Sequence, residues 1–63
     1  MWMVIRQDDN GRGFVMADHL SEDEAQLLVT KFTARGHKQT YLALGYANSR
    51  QRYSLFRNYG LDI

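Results

Sequence analysis

Seven residues toward the C-terminus, Tyr46, Arg50, Arg52, Tyr53, Phe56, Arg57 and Tyr59, interleave guanidinium groups with aromatic rings. Such a mixture can hold phosphates and stack bases, as proteins that bind single-stranded nucleic acid do. Arg50, Arg52, Tyr53 and Arg57 are the residues that would carry that chemistry, with Lys38 and His37 extending the footprint. The competing reading is structural: on a helix, Tyr53, Phe56 and Tyr59 form an apolar face that docks on a sheet. A net charge of +1 and an isoelectric point near 8.1 fall short of the basic balance of a nucleic-acid-binding domain, which favours docking.

Asp8, Asn10, Arg12 and Gly13 have the spacing of the first half of a calcium-binding EF-hand loop. Arg12 then stands where an oxygen ligand is needed, and His19 where the bidentate glutamate belongs, so the run Asp8 to Gly11 reads as a solvated turn. His19 and His37 are the only histidines, and with no cysteine in the chain a zinc site lacks two ligands. Ser21, Ser49 and Ser54 show no nucleophile elbow, and Gly11-Arg12-Gly13 lacks the strand-to-helix context of a phosphate loop. We therefore expect no catalytic residue, no metal, no cofactor and no small-molecule substrate; the chain reads as a non-enzyme.

These groups must be positioned by very little protein. With 63 residues, 44% of them hydrophobic, and neither cysteine nor proline, the chain is expected to form one domain over residues 1–63 without disulfide support. The longest apolar run is Met1 to Ile5, against roughly 20 residues for a membrane span, so a cytoplasmic protein is expected. Charge is unevenly spread: residues 1–30 hold two arginines against six acids, while residues 31–63 hold six basic residues against one acid.

The pair Asn10-Gly11 predicts a hairpin with a type I′ turn. Centred there, it pairs Asp9 with Arg12, Gln7 with Phe14, Ile5 with Met16, Val4 with Ala17 and Trp2 with His19. Met3, Ile5, Phe14 and Met16 then share one face, and Trp2, Val4, Val15 and Ala17 the other. Because both faces are apolar, the hairpin should sit inside a larger sheet with something over each face.

Ser21 with Glu24 three residues on is a capping box, and Ala25, Leu28, Val29 and Phe32 form one apolar stripe after it. A helix over 22–35, ended by Gly36, follows. Lys38 to Leu44 reads as a third strand, and a right-handed crossover would lay it beside the first, giving the order 2-1-3. Asn48 to Ile63 mixes strand and helix signals; Asn48 with Gln51 as cap, and Gly60-Leu61 as a Schellman ending with Leu61 on Phe56, decide for helix. The expected fold is α+β, ββαβα, with a three-stranded antiparallel sheet packed by the two helices.

The run Arg6-Gln-Asp-Asp-Asn-Gly11, Phe14-Val15, Leu20-Ser21, Glu24-Ala25, Leu28-Val29, Phe32, Arg35-Gly-His-Lys-Gln39 and Tyr41 resembles a group of short bacterial proteins. That resemblance implies a small bacterial protein and brings no activity with it. More loosely, the helix ending at Gly36 and its following strand are similar to half of a SPOR domain, a peptidoglycan-binding module. The leading expectation is a protein-interaction module that forms a homodimer or binds another protein. If the helices cover one face of the sheet, Trp2, Val4, Val15, Leu42 and Leu44 are left to form the interface. Nucleic-acid binding through the basic aromatic tail is the alternative.

Overall fold

The hairpin loop is decided by Asp8, whose carboxylate accepts the backbone N–H groups of Asn10 and Arg12, both at 3.0 Å. In the computed structural model, which describes residues 1–35 and 39–61, this closes a turn over Asp8 to Gly11. Gly11 donates to the Asp8 carbonyl at 3.2 Å and Asp8 donates to that of Arg12 at 3.0 Å. Gly11 alone in the loop takes a positive φ, of 80°, where a type I′ turn would require one at Asn10 as well. The loop is therefore a three-residue one ending in a left-handed glycine, and it shifts the pairing by one residue from the expected register.

That displacement propagates. Strand β1 (Trp2–Gln7) pairs antiparallel with β2 (Gly13–Leu20) as Gln7↔Gly13, Arg6↔Phe14 and Ile5↔Val15, so Phe14 and Val15 exchange faces relative to expectation. The extra residue Met16 restores the expected Val4↔Ala17, and a second irregularity leads to Trp2↔Leu20 in place of Trp2↔His19. His19, at that second bulge, holds a left-handed φ of 57°.

Helix α1 (Glu22–Ala34) begins with the capping box as expected. Glu24 N–H donates to Ser21 Oγ at 3.1 Å, and Ser21 N–H donates to Glu24 Oε1 at 3.0 Å. Ser21→Ala should lower stability by about 1 kcal/mol in a urea titration, the usual cost of a lost N-cap. The glycine expected to end the helix, Gly36, and His37 and Lys38 lie outside the described residues. Strand β3 (Thr40–Gly45) pairs antiparallel with β1 from Trp2↔Gly45 to Gln7↔Thr40, which gives the order β2-β1-β3. Helix α2 (Ser49–Asn58) follows. Asn48 Oδ1 accepts Gln51 N–H at 3.0 Å, while the Gln51 side chain reaches past the cap to Ala47 N–H at 2.7 Å. Leu61 N–H donates to the Phe56 carbonyl at 2.9 Å and Gly60 takes a φ of 61°, which is the expected Schellman ending.

The fold is thus α+β with one helix on each side of the sheet. Met3, Ile5, Val15, Leu42 and Leu44 face α2 and pack with Leu55, Phe56, Tyr59 and Leu61. Val4, Ala17, Tyr41 and Ala43 share the other face, where Phe32 of α1 stacks on Tyr41 with ring centroids 5.0 Å apart. Met3, Val4 and Ile5 are all 0% exposed, because β1 has a strand on either edge and a helix over either face.

Candidate functional site

The arrangement of the helices changes the expected interface. Covering one face was the premise that left Trp2, Val4, Val15, Leu42 and Leu44 free, and the helices instead take one face each. Val4 is fully buried, Val15, Leu42 and Leu44 pack against the core beneath α2, and Trp2 lies on the opposite face against Gly45. The five residues form no common patch. A sequence pattern cannot say which face a second helix takes when both faces are apolar.

What remains open is a strand edge, and the two outer edges of the sheet differ. On β2 the chain is interrupted twice by bulges, carries Asp18 and the left-handed His19, and is capped at its start by the C-terminal segment. There Gly13 bridges to Leu61 in parallel, and Gly13 N–H donates to the Gly60 carbonyl at 3.3 Å. Bulges and charge are how natural sheets prevent edge-to-edge pairing. By contrast β3, Thr-Tyr-Leu-Ala-Leu-Gly, pairs with β1 without a single irregularity and holds no charged residue. Among the described residues no strand covers its outer edge. Tyr41, Leu42, Ala43 and Leu44 are consequently only half-buried, although they alternate between the same two faces as the fully buried Met3, Val4 and Ile5.

The basic aromatic tail is divided by the fold. Phe56 and Tyr59 pack on the core as the docking reading expects, whereas Tyr53 is 61% exposed. Arg52 stacks over Phe56, 4.7 Å from its centroid, and is taken up by Asp18: Nε donates to Oδ2 at 2.9 Å and a terminal nitrogen lies 2.8 Å from the same oxygen. Arg50 and Arg57 are exposed.

Asp18 is the centre of a polar cluster that sequence patterns did not single out. Besides Arg52, it accepts the Tyr46 hydroxyl at 2.5 Å and the His19 N–H at 2.7 Å. Burial raises the Asp18 pKa, but the hydrogen bonds from Tyr46, His19 and Arg52 outweigh it and hold the carboxyl below its ordinary value. Burial and then the adjacent Asp18 raise the Tyr46 pKa, and the Asp18 hydrogen bond raises that of Arg52. Both carboxylate oxygens are engaged internally, so the cluster ties β2, the β3–α2 connection and α2 together. No signal local to Asp18 could have found it, because its partners are 28 and 34 positions away.

The Asp8 carboxylate serves its own loop, and among the described residues no three His, Cys, Asp or Glu side chains are placed to hold a metal ion. Nor is any helix among them long and apolar enough to cross a membrane. No family model matches this chain, and neither a curated protein nor a solved structure matches it.

Proposed function

We propose that this chain is a non-enzymatic interaction module that self-associates by pairing β3 with the same strand of a second copy. A single contrast carries the reading: one edge of the sheet is blunted by bulges, charge and the C-terminal segment, while the other is regular, uncharged and apolar. Antiparallel pairing about a two-fold axis normal to the sheet satisfies both edges with one contact and closes the assembly. It keeps Leu42 and Leu44 in the interface and drops Trp2, Val4 and Val15 from it. Charge supports a second copy as the occupant. Helix α1 packs chiefly on β3, so the two-fold sets two α1 helices antiparallel on the same side of the joined sheet. The acidic start of each, Glu22, Asp23 and Glu24, then lies toward the end of the other, where Lys31 and Arg35 stand. The bacterial cytoplasm is the setting we propose, on the sequence resemblance and the composition.

Sedimentation equilibrium from about 10 μM to about 1 mM should show the mass passing from one chain to two. Over the same range, alternate backbone N–H groups of residues 40–45 should become slower to exchange with solvent. Lys31→Glu, on an exposed helix surface, should weaken the dimer several-fold through two symmetric contacts of about 0.2 to 1 kcal/mol each. A single-chain mass throughout, with unchanged exchange at β3, would overturn the reading.

A second reading, binding of single-stranded nucleic acid, is favoured by the outer surface of α2. Arg50, Tyr53 and Arg57 lie at i, i+3 and i+7, all exposed, on a helix without an acidic residue. With Arg52 committed to Asp18, two phosphate contacts remain, and log affinity should fall against log salt with a slope of magnitude about 1.4. A mobility titration with single-stranded DNA and RNA at low salt checks this; no shift with the wild type, or a shift that Arg50→Gln/Arg57→Gln leaves unchanged, would remove it.

A further inference from the structure

A groove of about 320 Å³ opens on the α1 side of the sheet, lined by Arg6, Met16, Phe32, Arg35, Gln39 and Tyr41. Two of its walls are guanidinium groups, each laid on an aromatic ring. Arg6 lies over Phe14 with its central carbon 5.0 Å from the ring centroid, and Arg35 lies over Phe32 at 5.6 Å. Phe32 is itself fixed by its stack on Tyr41. Stacking occupies the face of a guanidinium and leaves its in-plane N–H groups free to hold an oxyanion. Among the described residues neither arginine makes a salt bridge, and Arg6 Nε is buried without a hydrogen-bond partner. A buried donor of a charged group is costly to leave unpaired, and an anion against the rest of this guanidinium in the groove would offset part of that cost. Gln39, whose Oε1 faces the Tyr41 hydroxyl at 3.5 Å, presents a further amide at the rim.

We propose that this groove binds a phosphate monoester, with the phosphate held between Arg6 and Arg35 and its organic group against Met16 and the aromatic rings. Two guanidiniums supply the two positive charges that match a phosphate monoester, which carries close to two negative charges near neutral pH. A carboxylate matches only one of them. The apolar side chains beside the arginines select an ester over free inorganic phosphate. The ester could belong to a free small molecule or to a phosphorylated side chain of another protein; the chemistry at the groove is the same. Apart from Tyr41, the site shares no residue with the β3 edge, and Arg35, which self-association would set toward the acidic start of a second α1, is read below the concentration at which the chain pairs.

The test follows the nitrogen-15 resonances of the arginine Nε–H groups and the Gln39 side-chain amide in the full chain. The probes are phenyl phosphate, inorganic phosphate, benzoate, and a short peptide with and without phosphotyrosine. Phenyl phosphate should shift all three resonances saturably and bind more tightly than inorganic phosphate or benzoate. Arg35→Gln, at the exposed end of α1, should weaken it about ten- to a hundredfold, and Arg35→Lys, which keeps the charge without the planar fork, should recover only part of that. Arg6→Gln should do the same, with the fold checked by the unchanged spectrum of residues facing α2. Tighter binding of the phosphopeptide than of phenyl phosphate assigns the ester to a protein, and equal binding assigns it to a small molecule. No saturable shift up to about 10 mM, or benzoate binding as tightly as phenyl phosphate, would overturn the proposal.

Discussion

Gly13→Ala should lower the stability of this protein by about 2 to 3 kcal/mol, a large part of the roughly 3 to 9 kcal/mol that its length supports. A Cβ at this position would stand 2.5 Å from Leu61 Cδ2 and 2.8 Å from the Tyr59 carbonyl oxygen. The leucine methyl can turn away, but the carbonyl is backbone at the C-cap of α2, and moving it breaks the Schellman ending and the Gly13 to Gly60 hydrogen bond. The reason is packing alone, since the φ of Gly13 is not in the left-handed region. Gly11→Ala provides the contrast: its Cβ would meet nothing within 4 Å, and only its φ of 80° opposes the change, at about 1 kcal/mol. Urea denaturation of the two variants checks the ranking. Gly13→Ala combined with Leu61→Ala should show less than additive loss, because one of the two clashes is gone. Equal costs for the two glycines would mean that the C-terminal segment does not dock on β2.

Asp18→Ala should cost about 2 to 3 kcal/mol, because it leaves the Tyr46 hydroxyl, on a residue only 8% exposed, without its acceptor. The Arg52 contact adds less, since the arginine side chain is 37% exposed and water can replace the carboxylate. The effect depends on pH in a fixed direction. With the folded-state pKa of Asp18 held below its ordinary value of 3.8, its contribution is fully present above that value. It is lost as the pH falls through 3.8 toward the lowered folded-state value. Wild type and Asp18→Ala should therefore differ most at neutral pH and converge in acid. Tyr46→Phe should remove part of the same stability, so the double variant should lose less than the sum of the two. A difference that stays constant from neutral pH to below 3.8 would mean the carboxylate is not the stabilising group.

Much of the architecture was legible in the residues because it rests on interactions within one or two turns of chain. Ser21 with Glu24, Asn48 with Gln51, and Phe56 followed by Gly60-Leu61 are all local pairs, and each marks a helix end where the structure has one. The strand order followed from the apolar β1, since only the central strand is buried on both faces and both edges. The hairpin register failed for a reason that is also local but was outweighed in the reading. Asn10-Gly11 signals one turn, and Asp8 selects another by accepting two backbone N–H groups. A slip of one residue there turns Phe14 toward α1 and Val15 toward α2, and the bulge at Met16 then repairs the pairing.

The sequence by itself determined the elements, their caps and the order of the strands; the tertiary structure decided which surfaces are left over. Nothing in the pattern of β1 distinguishes its two faces, so the side taken by α2 depends on the summed packing of Leu55, Phe56, Tyr59 and Leu61 on a surface assembled from three strands. The same assembly brings Asp18 to Tyr46 and Arg52, turning one of three tail arginines into a structural tie. It also closes one sheet edge with Leu61 while, among the described residues, no strand covers β3, and sets Arg6 and Arg35 on a common groove. Hydrogen bonds between neighbours in sequence are present wherever their segment folds. Contacts between distant segments exist only once the whole chain has chosen its packing, and the Asp18 cluster and the Arg6–Arg35 groove are built from such contacts.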